Sequence, residues 1–216
     1  MKRLILYDLD GTLVDTREDL VRAVEHMLQA LGEAPRSRQQ VLNAVGRGLR
    51  HLVTDCLSAP SDARVEQGIR VFTDYYGQHL ADHSRLYPGA SEVLEHFKAR
   101  TQAVITNKPN PFARELLVGL GVAGYFAQIV AGDAGYPKKP DPAALTALMA
   151  QHRATAAQAV FIGDSVIDVE TGRRAGVFTV AMSHGLEAPE VLAHAGPDAL
   201  VRDFRELLAL AKRRRW

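Results

Sequence analysis

Four acids, a hydroxyl and a lysine in this sequence each follow a short apolar run, at spacings that could do chemistry. "LILY" (4–7) leads into Asp8-Leu9-Asp10-Gly11-Thr12. In extended backbone, residues two apart point the same way, so Asp8 and Asp10 face one small volume. Close carboxylates repel, and one takes up a proton unless a cation is present. Gly11 lets the chain turn there and is expected to expose its amide. "QAVIT" (102–106) ends on Thr106, whose hydroxyl can donate to an anionic oxygen, as can the Asn107 amide. In "GDAGYPKKPDP", Pro137 and Pro140 stiffen a loop that aims Lys138 or Lys139. "AVFIG" (159–163) runs into Asp164, with Asp168 four residues on and so on the same face if a helix begins there.

Together these positions describe an oxygen-rich site with one positioned ammonium. Hard oxygen ligands without a cluster of histidines or cysteines select Mg²⁺, which keeps several waters and shares a phosphate. The lysine and hydroxyl match phosphate oxygens. Phosphoryl transfer is the chemistry that such a set serves, because positioning and charge neutralisation dominate it.

The elements that must position these residues are legible as punctuation. The runs at 4–7, 102–106, 128–131, 159–163, 177–182 and 199–201 are too short for helices and mostly do not alternate, as expected of strands buried on both faces of a parallel sheet. From Pro88 onward helical segments separate them. Asn110 and Asp141 are expected as N-caps, with Pro111 and Pro142 at the first helical position, and Gly121 and Gly176 as closing glycines. Asp203 is expected to cap the last helix. The alternation predicts an α/β fold, a doubly wound Rossmann-like sheet. In such sheets ligands bind beyond the carboxyl ends of the strands.

Residues 16 to about 82 break that rhythm. Leu20, Val24, Met27, Leu28 and Leu31 share a helical face, with Thr16 and Asp19 expected as a capping pair. Further helices are expected around 37–45, 47–58 and 62–82, and no strand. The expected division is a catalytic core of residues 1–14 and 86–216 and an inserted, all-helical domain of residues 15–85. Within it, Arg47 stands between Gly46 and Gly48, either meeting a substrate anion or solvated in a helix–helix turn. The stretch is no P-loop, because the lysine-hydroxyl signature is missing. Asp15 reads as a hinge or capping acid, His184 as a structural loop histidine and Cys56 as a core residue.

Bulk properties narrow the partners. The chain has 216 residues, 47% hydrophobic and 24% charged, with a formal net charge of +1. That balance suggests no acidic partner, and the basic end "AKRRRW" reads as a solvated terminus. A lone cysteine excludes an internal disulfide or thiolate metal cluster. No apolar run reaches the ~20 residues needed to span a bilayer, and the N-terminal stretch lacks a signal-peptide pattern. The expected partner is a small phosphorylated metabolite, with neither nucleic acid nor membrane, and the expected compartment is the cytoplasm.

The quartet "DLDGTLVDT", "VITNK", "KKPDP" and "GDSVIDVETGRRAG" resembles the four motifs of the haloacid dehalogenase-like hydrolases. "YPGASEVLEHF", "TNKP" and "KPDP" bring it nearest to the phosphoglycolate phosphatase-like members. The resemblance implies a Rossmann-like core with a helical cap inserted after the first motif. It implies Asp8 as the nucleophile that becomes a phosphoaspartate, and Asp10 as the acid and then base, its carbonyl also on Mg²⁺. It implies Thr106 and the Asn107 amide as holders of the phosphoryl group, and Lys139, directly before the proline, as the lysine. Asp8 and Asp164 are implied as Mg²⁺ ligands, with Asp168 one shell behind. Gly11, at the turn, and Arg47 complete the expected phosphate- and substrate-binding set. The expected activity is a Mg²⁺-dependent phosphatase acting on a small ester, phosphoglycolate first. A phosphomutase of the same superfamily and a phospho-accepting signalling receiver are the competing readings.

Overall fold

The computed structural model describes residues 1–216. Six strands form one parallel sheet: β1 (Leu4–Tyr7), β4 (Thr101–Ile105), β5 (Gln128–Val130), β6 (Ala159–Gly163), β7 (Phe178–Met182) and β8 (Ala199–Val201). Their order is β5-β4-β1-β6-β7-β8, which puts β1 in the middle. It pairs in register with both neighbours, Leu4 opposite Thr101 on one side and Ala159 on the other.

Both faces of β1 are covered, which is why its sequence does not alternate. Ile5 and Tyr7 join the larger apolar cluster, with Val104, Val160 and Ile162. That side is covered by α5 (Ala90–His96), α6 (Phe112–Gly119) and α10 (Phe204–Arg213). Leu4 and Leu6 join the other face, with Phe161 and the helix α7 (Ala143–Gln151). All four β1 side chains are fully buried. At roughly 1.5–3 kcal/mol for each large apolar side chain, they anchor the strand that carries Asp8.

Several helix ends follow the expected chemistry. Asp203 accepts from the Arg205 and Glu206 amides at the start of α10. At α7 Pro142 takes the cap position instead of Asp141, which stands one residue earlier and still accepts from the Ala143 amide at 2.8 Å. Gly176, at φ +67°, follows the end of α8 (Val166–Arg174). Asn110 does not cap α6. That helix begins at Phe112, with Pro111 in the cap position, while the Asn110 amide donates to Asp133 Oδ1 at 3.0 Å.

Between β1 and α5 stand α1 (Arg17–Ala30), α2 (Arg38–Asn43), α3 (Leu49–Cys56) and α4 (Asp62–Gln78). They are flanked by β2 (Val14–Asp15) and β3 (Arg85–Leu86), an antiparallel pair too short to read from sequence. Leu20, Val24 and Met27 of α1 pack in the same apolar cluster as Val53, Phe72 and Tyr76. Cys56 is a buried free thiol in that cluster.

The expected Thr16–Asp19 capping pair is not formed. The Thr16 hydroxyl is buried without a partner. Asp19 reaches across instead, accepting from the His83 amide and from the Ser84 amide and hydroxyl, the last two at 2.7 Å. A tertiary tie thus wins over the local cap and fixes the return of the chain beside its departure. The cap role passes to Asp15, whose Oδ1 accepts from the Arg17 amide at 3.2 Å and from Arg17 Nε at 2.7 Å. No helix is long and apolar enough to cross a membrane.

Candidate active site

The carboxyl ends of β1, β4, β5 and β6 lie along one edge of the sheet, and the residues that follow them meet there. Asp8, Asp164 and Asp168 bring carboxylate oxygens within 4.8 Å of one another. Lys139, from the loop after β5, stands among them. Its Nζ is 2.6 Å from Asp8 Oδ1 and 2.7 Å from Asp168 Oδ1. The neighbouring Lys138 is exposed.

Each acid is held differently. Asp164 accepts from the Thr12 hydroxyl at 2.7 Å and the Leu186 amide at 2.8 Å. Asp168 is saturated: besides Lys139, its Oδ2 takes the Ser165 hydroxyl at 2.6 Å and the Asp164 and Ser165 amides. Ser165 caps α8 in return. Asp10 pairs with Lys108, Nζ to Oδ1 at 3.1 Å. Lys108 also donates to the Tyr76 hydroxyl at 2.7 Å, a contact from α4.

Four carboxylates therefore face two ammonium groups, a shortfall of two positive charges. The pKa shifts express that shortfall. Burial pushes the Asp8 carboxyl up to about 7, against the pull of Lys139, and the nearby Asp168 and Asp10 charges add to the rise. Burial likewise holds Asp164 well above the carboxylate range, with Asp8 and Asp168 contributing. Burial alone would lower Lys139, but Asp168 and Asp8 hold it above the ordinary ammonium range. A divalent cation fits this donor set, because it would meet hard anionic oxygens and cancel the charge that burial penalises.

Gly11 plays a part other than the expected one. Its amide is not free but donates to the Val14 carbonyl at 2.9 Å. The turn needs φ +84°, and a Cβ there would lie 2.2 Å from Asp164 Oδ2. Glycine is required because the β1 turn and Asp164 approach each other closely.

The second motif divides its work among three residues. The Thr106 hydroxyl accepts from the Lys108 amide at 3.1 Å. The Asn107 side chain clamps Lys139, accepting from its amide at 3.0 Å and donating to its carbonyl at 3.1 Å, and also donates to the Gly46 carbonyl at 2.8 Å. Gly46 and Gly48 both have positive φ, and their backbone lies against the core. Arg47 between them is exposed and does not line the cavity above Asp8, so the structure does not bring it to the site. Arg50 pairs with Glu66, and His51 is exposed. His184 supports the first motif, with Nε2 3.1 Å from the Thr12 carbonyl and its ring stacked on Tyr87.

A cavity of about 50 Å³ opens over Asp8, Asp10, Thr106 and Lys108, roofed by α3 and α4 through Leu49, Leu52, Phe72 and Tyr76. Lys108 and Tyr76 were not singled out from sequence. Lys108 follows a strand end, in the turn where its amide meets the Thr106 hydroxyl, and that position was the available signal. Tyr76 had none, since it reads as one more core position of an amphipathic helix.

Comparison with known proteins identifies the family. The sequence profile of a family described as haloacid dehalogenase-like hydrolase matches residues 5–182. A phosphoglycolate phosphatase of Vibrio parahaemolyticus is 36% identical over 215 residues, covering 95% of this chain and 94% of that protein. One of Pseudomonas fluorescens is 37% identical over 218 residues, covering 96% of this chain and 79% of that one. The crystal structure of a Haemophilus somnus protein described as a predicted phosphoglycolate phosphatase superposes with a TM-score of 0.93. It is 29% identical and covers 97% of this chain and 98% of that one.

Proposed function

The chain belongs to the haloacid dehalogenase-like hydrolases and is a phosphatase; from that premise we propose that it hydrolyses a small phosphomonoester, phosphoglycolate first, through a phosphoaspartate on Asp8. The observation that carries the reading is the Asp8–Lys139–Asp168 contact beside Asp164, at the mouth of a small cavity. It puts a carboxylate oxygen, a fixed ammonium and further hard oxygens around one point.

Asp8, Asp164 and the Asp10 carbonyl would hold Mg²⁺, which when bound supplies charge cancellation for an anionic phosphoryl group. In the first step an Asp8 oxygen forms a bond to phosphorus as the bond to the leaving oxygen breaks. Asp10 gives its proton to that oxygen, and the alcohol departs. In the second step Asp10 takes a proton from water, whose oxygen attacks phosphorus. The Asp8–phosphorus bond breaks, and inorganic phosphate is released. Proton transfer of this kind is worth about 10²–10⁴-fold. Lys139 screens the repulsion between Asp8 and the incoming phosphate, and Asp168 keeps Lys139 in place. Thr106 and the Asn107 amide hold the phosphoryl oxygens. Residues 15–85 act as a cap that closes the cavity from water, and the enzyme works in the cytoplasm.

The test is hydrolysis of p-nitrophenyl phosphate and phosphoglycolate by native enzyme and Asp8→Asn, with and without Mg²⁺. Expected are turnover by the native chain with Mg²⁺ only, and background rates for a folded Asp8→Asn. Near-native turnover by Asp8→Asn would sink the proposal.

A further inference from the structure

The cavity has a second polar end that the hydrolytic steps do not use. Lys108 Nζ has three donor hydrogens; one goes to Asp10 and one to Tyr76, which leaves a third. The Tyr76 hydroxyl accepts from Lys108 and makes no other hydrogen bond, so its own proton is unclaimed. Both side chains are nine-tenths or more buried, and both line the cavity. The walls between are apolar, from Leu20, Leu49, Leu52 and Phe72. Apolar walls keep water out and strengthen the pull of a lone ammonium on an anion. Lys108 stays charged there: burial would lower its pKa, but the attraction of Asp10 and Tyr76 holds it above the ordinary range.

We propose that Lys108 and Tyr76 form a specificity site for a carboxylate on the substrate, one oxygen taking the free Lys108 N–H and the other the Tyr76 O–H. The proposal rests on the phosphatase reading and narrows its substrate class to small phosphate esters whose alcohol carries a carboxylate. The cavity's size enforces "small": about 50 Å³ separates walls that touch both Asp8 and Lys108, a space of only a few waters. A phosphoryl group over Asp8 and a carboxylate on Lys108 thus belong to one compact molecule. Tyr76 comes from α4 and Lys108 from the core, so the site exists only when the helical segment lies over the sheet. It takes the role that Arg47, out in solvent, does not fill.

The experiment compares phosphoglycolate with 2-hydroxyethyl phosphate, in which CH₂OH replaces the carboxylate, on the Mg²⁺-loaded full-length enzyme. Native, Tyr76→Phe and Lys108→Met chains are assayed, with melting curves to check folding. The readout is the ratio of kcat/KM for the two esters, in which any effect on Asp10 common to both cancels. The native ratio should favour phosphoglycolate, and Tyr76→Phe should shrink it about ten- to hundredfold, the worth of a hydrogen bond to a charged group. Lys108→Met should shrink it at least as far. Equal native rates for both esters, or a ratio unmoved by both variants, overturns the proposal while the phosphatase reading stands. If neither ester is turned over, that reading fails for this substrate class, and dissociation constants of the two esters decide the site. A preference for phosphoglycolate that collapses in Tyr76→Phe supports it, and indifference sinks it.

Discussion

Replacing Asp168 by asparagine tests whether this acid positions Lys139 or binds metal itself. The native side chain is fully buried. Its Oδ1 accepts from Lys139 Nζ at 2.7 Å, and its Oδ2 accepts from the Ser165 hydroxyl at 2.6 Å and from the Ser165 and Asp164 amides at 3.1 and 3.2 Å. Asparagine has one acceptor oxygen. The cheaper orientation keeps that oxygen over the three donors of Asp164 and Ser165 and turns the NH₂ toward the Lys139 ammonium. Lys139 is then left buried with Asp8 as its only partner. Because the 2.6 Å contact with Asp8 remains, the loss is one charge-assisted hydrogen bond, about 1.5–3 kcal/mol. For a chain of this length, at ~2–4 °C per kcal/mol, the melting temperature should fall by about 3–12 °C. Calorimetry of the metal-free and Mg²⁺-loaded protein reads that loss, and kcat should fall while the Mg²⁺ concentration for half-activity stays near native. A melting temperature within about 2 °C of native refutes the pairing argument. Native stability with a greatly raised Mg²⁺ requirement makes Asp168 a metal ligand instead.

Two further outcomes follow from the same geometry. In metal-free protein the Asp8 pKa, raised by burial to about 7 from 3.8, makes its stability contribution full below the lower value and lost as pH rises through the higher one. The melting temperature without Mg²⁺ should therefore drop between pH 5 and 7.5, with a flatter profile in Asp8→Asn, and Mg²⁺ should restore it at pH 7.5; an identical slope in the variant refutes the assignment. Gly11→Ala places a methyl 2.2 Å from Asp164 Oδ2, whereas Gly196→Ala, at a similar positive φ of 70°, meets nothing within 4 Å. Both incur the ~1–2 kcal/mol of the left-handed backbone, but only Gly11→Ala should also lose activity and raise the Mg²⁺ requirement, as steady-state kinetics will show.

What the sequence reveals and what it hides divide along physical lines. The strands are legible because burial on both faces forces short unbroken apolar runs, and "LILY" is the clearest of them. Asp8, Asp164 and Lys139 are legible because each stands beside a strand end or between prolines, where local order fixes direction. The strands β2 and β3 are hidden because two residues carry no periodicity. Asp19 has the spacing of a capping residue, but its partners are more than sixty residues away, at His83 and Ser84. Arg47 suits an anion by its charge and by its place between two glycines. The positive φ values of Gly46 and Gly48 turn the backbone, not the arginine, toward the core. Lys108 was hidden by its own motif, since Thr106 and Asn107 already accounted for "TNK".

That three-residue stretch shows how one strand end governs the whole site. β4 ends at Ile105 and the chain turns at once, the Lys108 amide on the Thr106 hydroxyl, so that the next two side chains reach different groups. Lys108 joins Asp10 of the first motif to Tyr76 of α4. Asn107 joins the Lys139 backbone to the Gly46 carbonyl of the helical segment. Each residue thus ties one charged group of the site to one point on the helices above it. Lifting those helices would exchange both ties for water, while Lys108 keeps Asp10 and Asn107 keeps Lys139. A hydrogen bond exchanged for water is worth about 0.5–1.5 kcal/mol, and about 1.5–3 where a charged group is involved, so the closed arrangement and the aligned charges stabilise each other. Exclusion of water and assembly of the Lys108–Tyr76 pair are then one event, and a ligand that bridges Asp8 and Lys108 draws on both.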